Sequence, residues 1–313
     1  MKYLTLALFL FVSSQAFSLN PKPDTVKAGV YIISLHDINF RDKEYTLRFW
    51  LWFIYDNPEF DFEKQLDLPN AKDIDIQEAI YDSLDGKRWV IMKMKCTMKN
   101  SWNVHDFPFD QQRLRMHIEN TLFDKRTLIF VPDTEGSSFD PQEAIDGWDI
   151  TEFKVSESSN DYLTGFGDSS NKNQNFSSFD VNIGLDRAAW GMFFKIFLGM
   201  YIAFMIATIS FTPHPSELEP RFGLPVGGLF AAVGNKYIID SLLPESSSFT
   251  LVDTLHAITF IGIFAILLVS AFALKQYDKG RQDRALFINE RGATLVITCY
   301  IIANVVFITA ALL

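Results

Sequence analysis

The chain has 313 residues, 48% of them hydrophobic, and a formal net charge of −10. Residues 1–186 carry 19 Lys and Arg against 30 Asp and Glu, a net of −11, whereas residues 187–313 carry 9 against 8, a net of +1. An acidic first part with no basic patch excludes nucleic acid and an anionic membrane surface as its partner, because nothing there would hold phosphates.

Met1-Lys2-Tyr3 leads into the apolar run Leu4 to Val12, followed by the small residues Ala16 and Ser18. A basic start, a short apolar core and small residues predict a secretory signal peptide over 1–18. An N-terminal anchor is the alternative, and the run is short for a span. Residues 19–188 are then expected to form an exported domain. Helical periodicity is scarce between 29 and 190. Short runs rich in Val, Ile, Phe, Tyr and Trp are broken there by Asn, Asp, Gly and Pro, which predicts a β-sandwich of eight to ten strands. In Tyr45 to Tyr55, YTLRFWLWFIY, Trp50 and Trp52 share one face, and Phe49, Leu51 and Phe53 the other. With both faces apolar, this strand is expected to be central or buried at a subunit contact. Gly147-Trp148-Asp149-Ile150 opens a further strand, and the polar, glycine-punctuated stretch 165–178 reads as a long hairpin loop. Cys96 and Cys299 fall in regions expected to lie in different layers, so no disulfide is expected between them.

Residues 189–211, 222–243, 251–274 and 292–313 are apolar, and a span needs about 20 residues at a 1.5 Å rise. They predict a four-span membrane part over 189–313. The only charge in the first is Lys195, near its start, and the second is glycine-rich and carries Asn235, Lys236 and Asp240. The connection 275–291 carries Lys275, Lys279, Arg281, Arg284 and Arg291, which places it in the cytoplasm. Counting back puts the N-terminal domain and the C-terminus outside, in the cell membrane, or the inner membrane of a Gram-negative cell. The signal peptide gives the same orientation.

The stretch Phe107-Pro108-Phe109-Asp110-Gln111-Gln112 resembles the aromatic-Pro-Phe-Asp-x-Gln element of the pentameric ligand-gated ion channel family, the Cys-loop receptors and their bacterial relatives. Gly147-Trp148 is similar to that family's Gly-x-Trp strand start, Arg187 to its pre-membrane arginine, and Leu242-Leu243-Pro244 to the end of its second span. The ends of the opening loop, Asn100 and Leu114, are not cysteines, as in bacterial members that lack the loop disulfide. The resemblance implies a homopentamer in a lipid bilayer. It implies that Phe107, Pro108 and Phe109 press on the loop after Pro244, and that Asp110 pairs with Arg187 to couple the two domains. It also implies a ligand site between subunits. Tyr162, Phe166 and Phe176 would stand on one side of it, and Trp50 and Trp52 would come from the neighbour.

The resemblance implies a pore-facing stripe of Gly223, Gly227, Phe230, Gly234, Tyr237 and Ser241. Its spacing of four, three, four, three, four keeps it on one helical face. A ring of Phe230 side chains is expected to gate by dewetting. Glu219 at the cytoplasmic mouth and Asp240 at the outer one would favour cations. The bland alternative is a close helix–helix contact along the glycines. An aromatic box suits a cationic amine. Yet residues 120–132 hold no tryptophan, and a proton or a cation is an equal candidate, given the acidic surface and His36, His105 and His117. No metal-ligand spacing, catalytic motif or phosphate loop occurs, so neither a cofactor nor an enzyme is expected. The competing reading is a membrane-anchored sensor that passes its signal to a partner protein without conducting.

Overall fold

A computed structural model describes residues 22–142, 145, 147–167, 173–244 and 248–312; the expected signal peptide lies outside these residues. The first part is built on β1 (Asp24–Asn39), β2 (Glu44–Tyr55), α1 (Phe62–Gln65), β3 (Leu66–Asp67), β4 (Ala71–Leu84) and β5 (Lys87–Lys99). It continues with β6 (Gln111–Asn120), β7 (Leu128–Pro132), β8 (Ser138–Phe139), β9 (Trp148–Tyr162) and β10 (Gln174–Arg187). One sheet runs β4-β5-β2-β1-β7 with β8 also on β1; the other runs β3-β6-β10-β9.

The alternation in β2 shows why the two sheets face each other. Leu47, Phe49, Leu51 and Phe53 are fully buried, while Trp50 and Trp52, pointing the other way, are only half-covered. Between β1 and β5 the strand is central, as expected. Leu114, Met116 and Ile118 of β6, and Phe179, Val181 and Leu185 of β10, close the core from the other sheet. Phe62 of α1 stacks on Phe53 at 4.0 Å and so plugs one end. The β9–β10 hairpin loop is shorter than expected. Residues 174–178 continue β10, because Phe176, Ser177 and Ser178 turn out to be buried ladder positions rather than solvated ones.

Four apolar helices follow, each long enough to cross a membrane: α2 (Ala189–Ile209), α3 (Leu218–Asp240), α4 (Leu251–Asp278) and α5 (Gln282–Ala311). The protein is therefore a sheet-rich N-terminal part joined to a membrane-embedded helical part. Two boundaries differ from the sequence expectation. Helix α3 starts four residues early, at Leu218, with Glu219 and Pro220 in its first turn, where a carboxylate meets the helix dipole and a proline loses no bond. Helix α5 starts ten residues early, at Gln282, so the basic connection shrinks to 279–281, closed by Gly280 at φ +74. Lys275 and Arg284 sit near helix ends instead, and Arg291 lies inside α5. Apolarity marks where a helix meets lipid, not where it ends. Helix α4 opens with a reciprocal cap between Thr250 and Asp253.

In the bundle, α3 packs on both α2 and α4, and α5 packs on α4. Tyr300 of α5 stacks on Phe204 of α2 at 3.5 Å and meets Thr259 of α4 at 3.0 Å. The helices thus form a diamond, with α3 and α5 at opposite corners and α2 and α4 on the flanks.

Candidate functional site

Helix α3 has one covered face and one free face. Arg221, Pro225, Gly228, Ala232 and Ile239 are buried in the bundle. Glu219, Gly223, Gly227, Phe230, Gly234, Tyr237 and Ser241 are all exposed. A Cβ on Gly223, Gly227 or Gly234 would meet nothing within 4 Å, whereas one on Gly228 would come to 2.6 Å from the Ala203 carbonyl oxygen. The glycine at the helix contact is therefore Gly228, and the stripe glycines face open space. Phe230 is 73% exposed and Tyr237 77%. Leu229, one position from Phe230, packs into the bundle core instead.

The polar residues in this span have partners. Asn235 donates to the Ile196 carbonyl at 3.0 Å and meets His256 Nε2 at 3.1 Å, tying α2, α3 and α4 together. Lys236 holds Asp240 at 2.6 Å and Asp253 at 2.7 Å, so Asp240 is not a bare carboxylate. Arg221 faces away from the stripe, fully buried, donating to the Pro213 carbonyl at 2.9 Å and to Asn289 Oδ1 at 2.7 Å. Among the described residues Glu219 has no ion-pair partner.

The junction between the two parts is built around Arg187. Its Nε donates to Asp110 Oδ1 at 2.8 Å and its second terminal nitrogen to Oδ2 at 3.1 Å, a two-pronged pair with both side chains buried. The guanidinium lies 4.0 Å from the Trp148 ring, 4.8 Å from Phe40 and 4.9 Å from Phe107. Gln112 donates to the same Asp110 carboxylate at 2.6 Å. Phe107 thus serves the ion pair. Phe109 does not point at Pro244: it rests on Trp190 and Phe193 at the start of α2, 5.2 and 5.5 Å away between ring centres. The contact with the end of α3 and the start of α4 is made earlier in the loop. There Val104 shares a cavity with Pro244, and the Leu251 N–H donates to the His105 carbonyl at 2.8 Å.

On the four-stranded sheet, Tyr162 gathers Phe166 at 5.6 Å and Phe176 at 5.7 Å. Within one copy Trp50 and Trp52 lie on the other sheet, apart from this group. Trp52 donates to Asp133, and Trp50 lies under Lys93. Beneath the hairpin is a polar cluster that the sequence reading missed. His117 contacts Asp180 through Nδ1 and Glu119 through Nε2 at 2.6 Å. Tyr162 donates its hydroxyl to the other Glu119 oxygen at 2.9 Å, Asn160 donates to Glu119 at 2.6 Å, and Arg115 holds Asp180 at 2.8 Å. Burial alone would push the His117 pKa down, but the two carboxylates outweigh it and raise it to about 9. Burial would raise Asp180, but His117 and Arg115 pull it below its ordinary value. Arg115, His117 and Glu119 sit at every second position of one strand, which was the available signal for the cluster. No group of metal-binding side chains occurs among the described residues.

No protein-family model matches the chain, and no curated protein matches it.

Proposed function

We propose that the protein is a cation-conducting, ligand-gated ion channel made of five identical subunits, opened by a ligand or a proton acting on the exported domain. The observation that carries this reading is the free face of α3. A membrane helix buried on one face has to put its other face against lipid, protein or water. The α3 stripe presents a carboxylate, three glycines, a phenylalanine, a tyrosine and a serine, flanked by exposed Val226, Val233 and Ile238; the carboxylate and the run of small and hydroxyl residues suit a hydrated lumen better than lipid. Around a five-fold axis, Phe230 forms the apolar constriction and Tyr237 an outer one. Glu219 forms the charged ring that favours cations, because Arg221 is turned away and Asp240 is neutralised by Lys236.

The signal has a route to that pore. Ligand or proton at the Tyr162 hairpin shifts β9 and β10, and β10 ends at Arg187, directly before α2. The Asp110–Arg187 pair and Phe109 carry the shift onto α2. The test is thallium flux into liposomes holding the purified protein, with steps of pH and of organic amines, beside the mass of the detergent-solubilised particle. A five-copy particle with flux supports the reading. A five-copy particle that admits no ion under any step overturns conduction in favour of a sensor acting through a partner.

A further inference from the structure

Arg221 stands in the first turn of α3, two positions after Glu219 and two before Gly223. Two positions are about 200° of helix turn, so Arg221 points away from the face those residues share. Its side chain is fully buried. Three neutral acceptors hold it. The Pro213 carbonyl lies 2.9 Å from one terminal nitrogen, while Asn289 Oδ1 at 2.7 Å and Ser270 Oγ at 3.4 Å share the other. None of its partners among the described residues is a carboxylate, and its buried Nε has no partner.

A buried charge without a counter-charge is costly to keep. The resting place of this guanidinium therefore depends on the few hydrogen bonds it makes. Water at the start of α3 is the competing place, within reach of so long a side chain. Asn289, on α5, is the acceptor that a further bond fixes. Its Nδ2 donates to the Phe211 carbonyl at 2.9 Å, just past the end of α2, and this aims Oδ1 at Arg221. Glu290, one position along, is exposed. The socket is thus lined by an amide, with a carboxylate adjacent in sequence left outside it.

Arg221 and Glu219 carry opposite charges at the same end of one helix. Released into water there, each guanidinium would cancel the carboxylate of a Glu219. Held in the bundle, it leaves that carboxylate bare.

We infer, resting on the channel reading above, that Asn289 is a positioning residue for ion selectivity: from α5, it holds the Arg221 guanidinium in the bundle and leaves the Glu219 ring uncancelled. Ser270 and the Pro213 carbonyl complete the socket. A ring of carboxylates in a cleft raises the local cation concentration about tenfold or more, and a guanidinium beside each carboxylate removes that gain.

The experiment measures the cation-over-anion permeability ratio of the purified protein in planar bilayers, from the reversal potential in a salt gradient, under the same steps of pH and of organic amines. The proteins are the wild type, Asn289→Leu, and Asn289→Leu combined with Arg221→Gln. Asn289→Leu is expected to lower the ratio about tenfold. The double variant is expected to restore it, because no guanidinium is left to release. Phenylglyoxal labelling, read by mass spectrometry, follows the side chain itself. Arg221 is expected to stay unlabelled in the wild type and to label in Asn289→Leu, with exposed Arg281 labelling in both. Should Asn289→Leu not assemble, Ser270→Ala takes its place with the same expected directions, since it removes the longer contact and little volume. An unchanged ratio, a fall that persists in the double variant, or wild-type labelling of Arg221 as full as that of Arg281 overturns the inference and leaves the channel reading standing. No current through the wild type, with Arg221 still protected, overturns the channel reading instead.

Discussion

Arg187 touches more of the junction than any neighbour: a carboxylate pair on one side, three aromatic rings on the other. Removing one member of a buried pair strands the other charge, at a cost of about 3–5 kcal/mol. Asp110→Asn and Arg187→Gln are each expected to lower stability and ligand response. The double variant should cost less than the two summed, by about 1–3 kcal/mol. Denaturation and flux measured on all four proteins check this, and simple additivity would break the pairing. His117 gives a pH prediction. Its folded pKa, about 9, lies above its ordinary 6.5. Its contribution to stability is therefore complete below pH 6.5 and is lost as the pH rises through 9. Asp180, held low, acts in the opposite sense, losing its contribution only as the pH falls below 3.8. A melting series from pH 6 to 10 is expected to show an alkaline drop in Tm that His117→Gln removes; a drop of the same size in the variant would place its cause elsewhere.

Phe230 and Leu229 adjoin on α3 yet face opposite ways, and the helix is the scale at which they differ. Under the proposed channel, Phe230→Ala widens the apolar ring and is expected to leak at rest. Leu229→Ala removes packing against the bundle and is expected to lower yield and Tm without a leak, at about 2–5 kcal/mol. Resting flux through both variants decides; equal, unchanged fluxes would take Phe230 out of the lumen. That these residues share one exposed face was legible in the sequence, because side chains three and four positions apart lie on one side of a helix. The sandwich was legible for the matching reason in strands: Phe49, Leu51 and Phe53 alternate with Trp50 and Trp52. What stayed hidden depends on residues distant in sequence. Nothing local says that His117 faces Asp180 across a strand pair, that Asn235 reaches His256, or that Arg221 turns toward Asn289. The hairpin and helix ends were misplaced because polarity in sequence marks solvent or lipid depth, whereas hydrogen bonding decides where an element stops.

For the whole molecule, topology is the remaining expectation. The basic residues Lys275, Lys279, Arg281 and Arg284 cluster around the α4–α5 turn, and such clusters stay in the cytoplasm. A tag after Leu313 is therefore expected to be accessible from outside sealed cells or spheroplasts, and protection of that tag would invert the bundle. The outward apolar surface of α5, including Leu295, Ile301 and Val305, is left for lipid.

One consequence of the two polar ties on α3 is mechanical. Arg221 clamps the helix near its N-terminal end and Asn235 clamps it farther along. A beam clamped at two points can neither swing nor slide as a whole; it can only flex between them. The span between the clamps contains Pro225, which lacks one ladder bond, and Gly228, which lets α3 lie close on Ala203. Gly228→Ala would act as a shim at mid-span, bending the beam away from α2 and toward the proposed lumen. It is expected to lower unitary conductance while leaving assembly intact, and single-channel recording in a planar bilayer measures that deflection directly.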